Sequence, residues 1–343
     1  MENLNSKINI SRTIIQYAIS KVGFLLKVYS EVPIYFIDEN LMDYLYPPEK
    51  RKLLDEESIN RILKKYKDIK REIPKEKAYE SSKNEIDKFF KEVEEYRREY
   101  KNNFIALGLY KRHLTNNELG EIKNRTGKSI SSRPTIFICP ERIKNSSLEI
   151  SKKLKNSQTR TFKIIFTKVL LHELAHGYMN GNSKPYSKEY YSIIEEGLAN
   201  ALAISNFSEN EEKAIVYEFV KNQPFEYRTC MFWLNEPIKY EIDEIAYIWR
   251  NNWIANYIPI PRDIAPYVIR YYIRRRYIER PYLPPYFPFK LTFEIILGIL
   301  EFYNLPIHEE AIYEMIENAY LNDDNEFFWK ILAFRIISNQ KIF

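Results

Sequence analysis

The chain has 343 residues, 45% of them hydrophobic and 29% charged, values that fit a folded globular protein and exclude a disordered or collagen-like one. Lys and Arg number 52 against 47 Asp and Glu, too small a surplus in so long a chain to point to nucleic acid or a membrane as a whole-molecule partner. Two cysteines, Cys139 and Cys230, exclude a disulfide framework and a four-thiolate zinc site, and a reducing cytoplasm is the simplest reading.

The opening Met1-Glu2-Asn3-Leu4-Asn5 lacks the basic start and apolar stretch of a secretory signal, and the longer apolar blocks are interrupted by Lys, Arg or Glu. A soluble cytoplasmic protein without a membrane span is therefore expected. Apolar residues from Ile14 to Val28 at spacings of three and four predict one amphipathic helix over 11–29, and Val32 to Ile37 reads as extended. Between Glu49 and Tyr100 the chain is dense in Lys and Glu, with Phe89, Phe90, Val93 and Tyr96 at helical spacing. This predicts two charged helices forming an inserted, solvated cover.

Two segments read as strands: Phe104 to Tyr110, and Thr135 to Cys139 between Pro134 and Pro140. Prolines at both ends favour a sheet edge for the second, because Pro cannot donate to a central ladder. The rest predicts helices near 160–179, 187–206, 209–222, 241–256, 264–279, 291–303, 308–321 and 325–339, with Ser208 and Glu211 as a capping box. We divide the chain into 1–101 (helix, strand and charged insertion), 102–207 (core) and 208–343 (helical lobe). The expected fold class is α+β, a small mixed sheet packed on one helix with a largely helical second half.

The sharpest signal is His172-Glu173-Leu174-Ala175-His176, an H-E-x-x-H motif inside an apolar helical stretch. Residues four apart share a helix face, so both imidazoles can point at one ion, with Glu173 beside them as general base. A catalytic zinc takes three protein ligands, and about twenty residues downstream Glu195 and Glu196 stand on a second predicted helix. Either could close the site. We prefer Glu196, because Asn200 lies four residues on and could hold the free ring nitrogen of a ligating histidine. Glu195 then reads as a surface carboxylate. His113 and His308 have no companion at ligand spacing, and Cys139 reads as a buried structural thiol.

His172-Glu173-Leu174-Ala175-His176 followed by Glu196-Gly197-Leu198-Ala199 resembles the gluzincin metallopeptidases, the group that contains thermolysin and the zinc aminopeptidases. The resemblance covers residues 134–204. It implies a zincin-like fold, Zn2+ held by His172, His176 and Glu196, Glu173 as the catalytic base, and a Tyr or His of the helical lobe as oxyanion donor. Asn200 stands where thermolysin-like enzymes have an aspartate that orients a histidine. The metzincin pattern is absent, since Met179 and Asn182 occupy the positions that need Gly and His, and so is the Gly-x-Met-Glu-Asn signature of the aminopeptidases.

The expected function is thus a zinc metallopeptidase, an endopeptidase in which Glu173 works on a zinc-bound water to cut a protein or peptide substrate. Ile136, Phe137 and Ile138 are expected to form the edge strand that pairs with the substrate backbone, as in zincins. A different reading comes from Arg270 to Lys290, where Arg274, Arg275 and Arg276 are interleaved with tyrosines. Such a segment suits an anionic ligand or nucleic acid, and on that alternative the protein binds a polyanion or nucleotide and its zinc helix is structural or degenerate.

Overall fold

The structure is a computed structural model that describes residues 1–48, 52–67, 77–99, 105–180, 188–234, 242–251, 288–303 and 309–339. It is mostly helical with one small mixed sheet, an α+β composition. The chain forms two compact units that interleave in sequence, residues 1–53, 98–181 and 195–230 in the first and 54–97, 182–194 and 231–343 in the second.

In the first unit, β1 (Glu2–Asn3), β2 (Ile34–Phe36), β5 (Gly108–Lys111) and β6 (Thr135–Ile138) make a sheet in the order β1-β2-β6-β5. The first three run parallel, and β5 is antiparallel to β6 with Gly108 opposite Ile138 and Tyr110 opposite Ile136. A separate ladder joins β3 (Lys52–Leu53) and β4 (Arg98–Glu99). Strand alternation sorts the sheet's side chains to two faces. Phe137, Tyr35 and Leu109 pack with Leu41, Met42 and Ile122, which belong to α3 (Glu39–Leu45) and α6 (Asn116–Thr126). Phe36 on the opposite face meets Phe166 edge-on at 5.8 Å, and Phe166 belongs to α8 (Gln158–Met179).

Helix α8 organises this unit. It touches β5, β6, α1 (Arg12–Ser20), α2 (Leu26–Glu31), α7 (Pro140–Leu154) and α10 (Asn210–Lys221). Residues 161–175 of α8 are all buried except Lys163, which is the fate of a largely apolar helix in a core. The informative residues in such a helix are its buried polar ones, Lys168, His172 and Glu173.

Several sequence expectations need correction. The helix expected over 11–29 is broken into α1, a 3-10 turn Gly23–Leu25 and α2, at Gly23 with φ 53°, a left-handed conformation that suits glycine. Helices α6 and α7 were not anticipated. Thr115 and Glu118 form a capping box at α6, whereas α10 starts from Glu209 with no side-chain cap in place of the expected Ser208 and Glu211 pair. Strand β6 is not an edge, because β2 and β5 pair with its two sides. Pro134 precedes that strand and Pro140 opens α7, so neither has to donate to the ladder.

In the second unit the two charged helices are α4 (Glu56–Lys67) and α5 (Ala78–Glu95). They are not a solvated cover. Phe89 and Phe90 of α5 are fully buried, and the ring of Phe89 meets Tyr66 at 5.0 Å and Phe334 at 5.1 Å. Phe302 lies 5.0 Å from Phe334. The helix expected at 264–279 and the Arg274, Arg275 and Arg276 segment lie outside the described residues. Among the described residues, no helix is long and apolar enough to cross a membrane. Phe89→Ala is expected to cost about 3–5 kcal/mol of unfolding free energy, measurable by chemical denaturation followed through aromatic near-ultraviolet circular dichroism.

Candidate metal centre

The candidate site lies within the first unit, where α8 meets α9 (Lys188–Ser205), whose residues from 195 onward belong to that unit. His172 and His176 are one turn apart on α8 and their Nε2 atoms come to 3.1 Å of each other. The Oε2 atom of Glu196 lies 3.3 Å from each of those nitrogens. These three form a group able to hold a metal ion. The structure thus brings together the His172, His176 and Glu196 trio expected from the sequence.

The donor triangle fits a zinc ion. Tetrahedral bonds of about 2.0–2.1 Å place neighbouring donors roughly 3.3–3.4 Å apart, close to the observed edges of 3.1, 3.3 and 3.3 Å. Glu196 Oε2 is a buried atom with no well-directed hydrogen bond among the described residues, and the two imidazoles are its close neighbours.

The outer nitrogen of His176, Nδ1, lies 3.0 Å from Glu195 Oε1. A carboxylate on the distal nitrogen fixes the ring and makes it a better ligand. This corrects the role expected for Asn200, and Glu195 is buried (8% exposed) rather than a surface carboxylate. Asn200 is fully buried and points elsewhere. Its Oδ1 accepts from Lys168 Nζ at 2.5 Å, and its Nδ2 donates to Gln223 Oε1 at 3.2 Å and to the Tyr227 carbonyl at 2.9 Å. Among the described residues, His172 Nδ1 has no hydrogen-bond partner. Its ring instead stacks on Tyr227, centroids 5.4 Å apart at 28°.

Glu173 is buried beside the trio. Burial raises its carboxyl to about 7, with Glu196 adding to the rise and His176 opposing it. The backbone N–H of Tyr110 donates to it. Gly108 makes room for it, since a Cβ there would come within 2.5 Å of Glu173 Oε1 and 2.7 Å of its Cγ. The edge strand β5 therefore covers the Glu173 carboxylate. Burial pushes His172 down to about 3. His176 is buried too, which alone would lower it, but Glu196 and Glu195 raise it well above its ordinary value.

A cleft of about 980 Å³ opens over the trio, and Gly108, Tyr110, Lys168, Gln223 and Tyr227 are among its walls. Ile136, Phe137 and Ile138 do not line it; all three are fully buried in the central strand. The strand of the cleft is β5. Gly108, Lys168, Gln223 and Tyr227 escaped the sequence reading. Lys168 alone carried a usable signal, a charge inside an apolar stretch one turn before His172. No protein family model matches this chain, and neither does any curated protein or solved structure.

Two outcomes follow. Metal analysis should find one equivalent of zinc in the wild-type protein, Glu196→Ala should lose it, and Glu195→Gln should weaken binding about 10- to 100-fold. Because ligands must be deprotonated and His176 is the ring raised by its carboxylates, zinc binding at pH 7 should release about one proton and weaken as pH falls. Calorimetry in buffers of different ionisation enthalpy measures that release.

Proposed function

We propose that the protein is a zinc-dependent metallopeptidase of the gluzincin type, acting on a protein or peptide. The observation that carries this reading is the convergence of His172 Nε2, His176 Nε2 and Glu196 Oε2 beneath an edge strand whose glycine admits Glu173. A zincin-like architecture is supported by the helix α8 lying against the sheet, the antiparallel edge strand above it and the glutamate supplied by the next helix. A bound zinc supplies Lewis acidity, polarising a carbonyl and acidifying water.

The chain's own groups divide the remaining work. Glu173, with a carboxyl raised to about 7, is suited to take a proton from water in the cleft and to return one to the departing amine, since such a group works best near the operating pH. β5 has one side paired with β6 and the other free of sheet partners among the described residues. An extended peptide can add there as a further strand, which would draw its backbone across Glu173. Tyr227 lines the cleft and stacks on His172, so its hydroxyl is our assignment for the donor to the developing oxyanion. Burial, followed by Glu196, raises that hydroxyl well above its ordinary value and keeps it protonated. Cys139 and Cys230 are both buried and are not joined in a disulfide, which accords with action in a reducing compartment such as the cytoplasm. The alternative, polyanion binding by the Arg274, Arg275 and Arg276 segment, draws no support from the described residues.

Glu173→Gln should keep its zinc and lower cleavage of a peptide library by about 10²–10⁴-fold, read by mass spectrometry of the products. Gly108→Ala should also keep zinc but lose most activity, because the added methyl displaces Glu173. Wild-type protein carrying a full equivalent of zinc and cleaving no peptide, or cleaving as well after Glu173→Gln, would sink this reading.

A further inference from the structure

Lys168 occupies a costly position. It sits on α8 one turn before His172 and is 1% exposed, yet it forms part of the cleft wall. Its ammonium donates to two neutral amide oxygens, Asn200 Oδ1 at 2.5 Å and Gln223 Oε1 at 3.4 Å, and lies 5.1 Å from the centre of the Phe219 ring. Among the described residues, no carboxylate comes within ion-pair distance of it. A buried ammonium whose hydrogen bonds go only to neutral amides is expensive, and an anion arriving in the cleft would offset that cost.

The amide orientations are determined by their partners. The Tyr227 carbonyl can only accept, so Asn200 must turn its NH2 toward it and its oxygen toward Lys168. Gln223 Oε1 then receives two donors, the Lys168 ammonium and Asn200 Nδ2. This leaves the Gln223 NH2 group with no protein acceptor among the described residues, on a side chain that is half-buried and lines the cleft. One ammonium N–H and one amide NH2 thus stand side by side, two donors for the two oxygens of a carboxylate.

Resting on the metallopeptidase reading above, we propose that Lys168 and Gln223 form a carboxylate subsite of the cleft, selecting substrates that carry a carboxylate one or two residues beyond the scissile bond. One turn separates Lys168 from His172, about 6 Å along the helix axis, and two extended residues span about 7 Å. The carboxylate is either the C-terminus of the substrate or an acidic side chain.

The test uses the full chain as Glu173→Gln, loaded with one equivalent of zinc, and isothermal titration with N-acetylated hexapeptides. One pair of peptides differs only in a C-terminal acid or amide, the other only in an internal Glu or Gln. In at least one pair the carboxylate form should bind about tenfold tighter or more, and the pair that shows the gap identifies the source. Lys168→Met should abolish the gap and Gln223→Leu should narrow it; the latter position is half-buried, so it carries the comparison should Lys168→Met not fold. Equal affinities within both pairs, or a gap that survives Lys168→Met, overturns the subsite. If the gap is present but wild-type protein cleaves none of the peptides, the subsite stands and the peptidase reading falls.

Discussion

The first unit depends on one arrangement, two imidazoles and a carboxylate oxygen meeting between α8 and α9. Helix α8 is largely buried, so polar residues on it are held by partners from neighbouring elements. The two neighbouring acids of α9 divide that task. Consecutive helical residues point about 100° apart, so Glu196 reaches the inner nitrogens while Glu195 reaches around to the outer nitrogen of His176. Neither acid alone could serve both places.

The charge of the neighbourhood would favour a divalent cation over a monovalent one. The neighbourhood holds three carboxylates, Glu173, Glu195 and Glu196, and one ammonium, Lys168, so neutral imidazoles leave two negative charges in a buried site. Glu196 and Glu195 raise His176 against the effect of its burial, while burial is the main cause of the rise at Glu173. A divalent cation would offset the excess negative charge. Lys168 shows the opposite pull: burial lowers it to about 8, while Cys230, Glu173 and Glu196 resist the fall.

What could be read from the sequence divides along local and non-local lines. The pairing of His172 with His176 is set by helical periodicity, which needs no tertiary information, whereas a second helix downstream leaves both Glu195 and Glu196 open as the third ligand, and the preference for Glu196 rests on a role for Asn200 that the structure does not bear out. The rotation of that helix about its axis is a tertiary property. This is why Asn200 was given a role that Glu195 fills, although the two differ only in how α9 turns toward α8. Strand order is equally non-local: flanking prolines suggested an edge for Thr135–Ile138, yet the two prolines sit just outside the ladder and the strand is central. Helix α6, Asn-Asn-Glu-Leu-Gly-Glu-Ile-Lys-Asn-Arg-Thr, buries only Ile122 fully. Too few apolar residues were present to show a period.

The edge strand and the base are also one mechanical unit. Gly108 in β5 lacks the Cβ that would collide with Glu173, and two residues on, the N–H of Tyr110 donates to the same carboxylate. Glycine in a strand interior gives up side-chain packing and costs conformational entropy, so its place here needs a compensating reason. Close approach of backbone to carboxylate supplies it. A residue larger than glycine at 108 would therefore displace the Glu173 carboxylate without touching His172, His176 or Glu196.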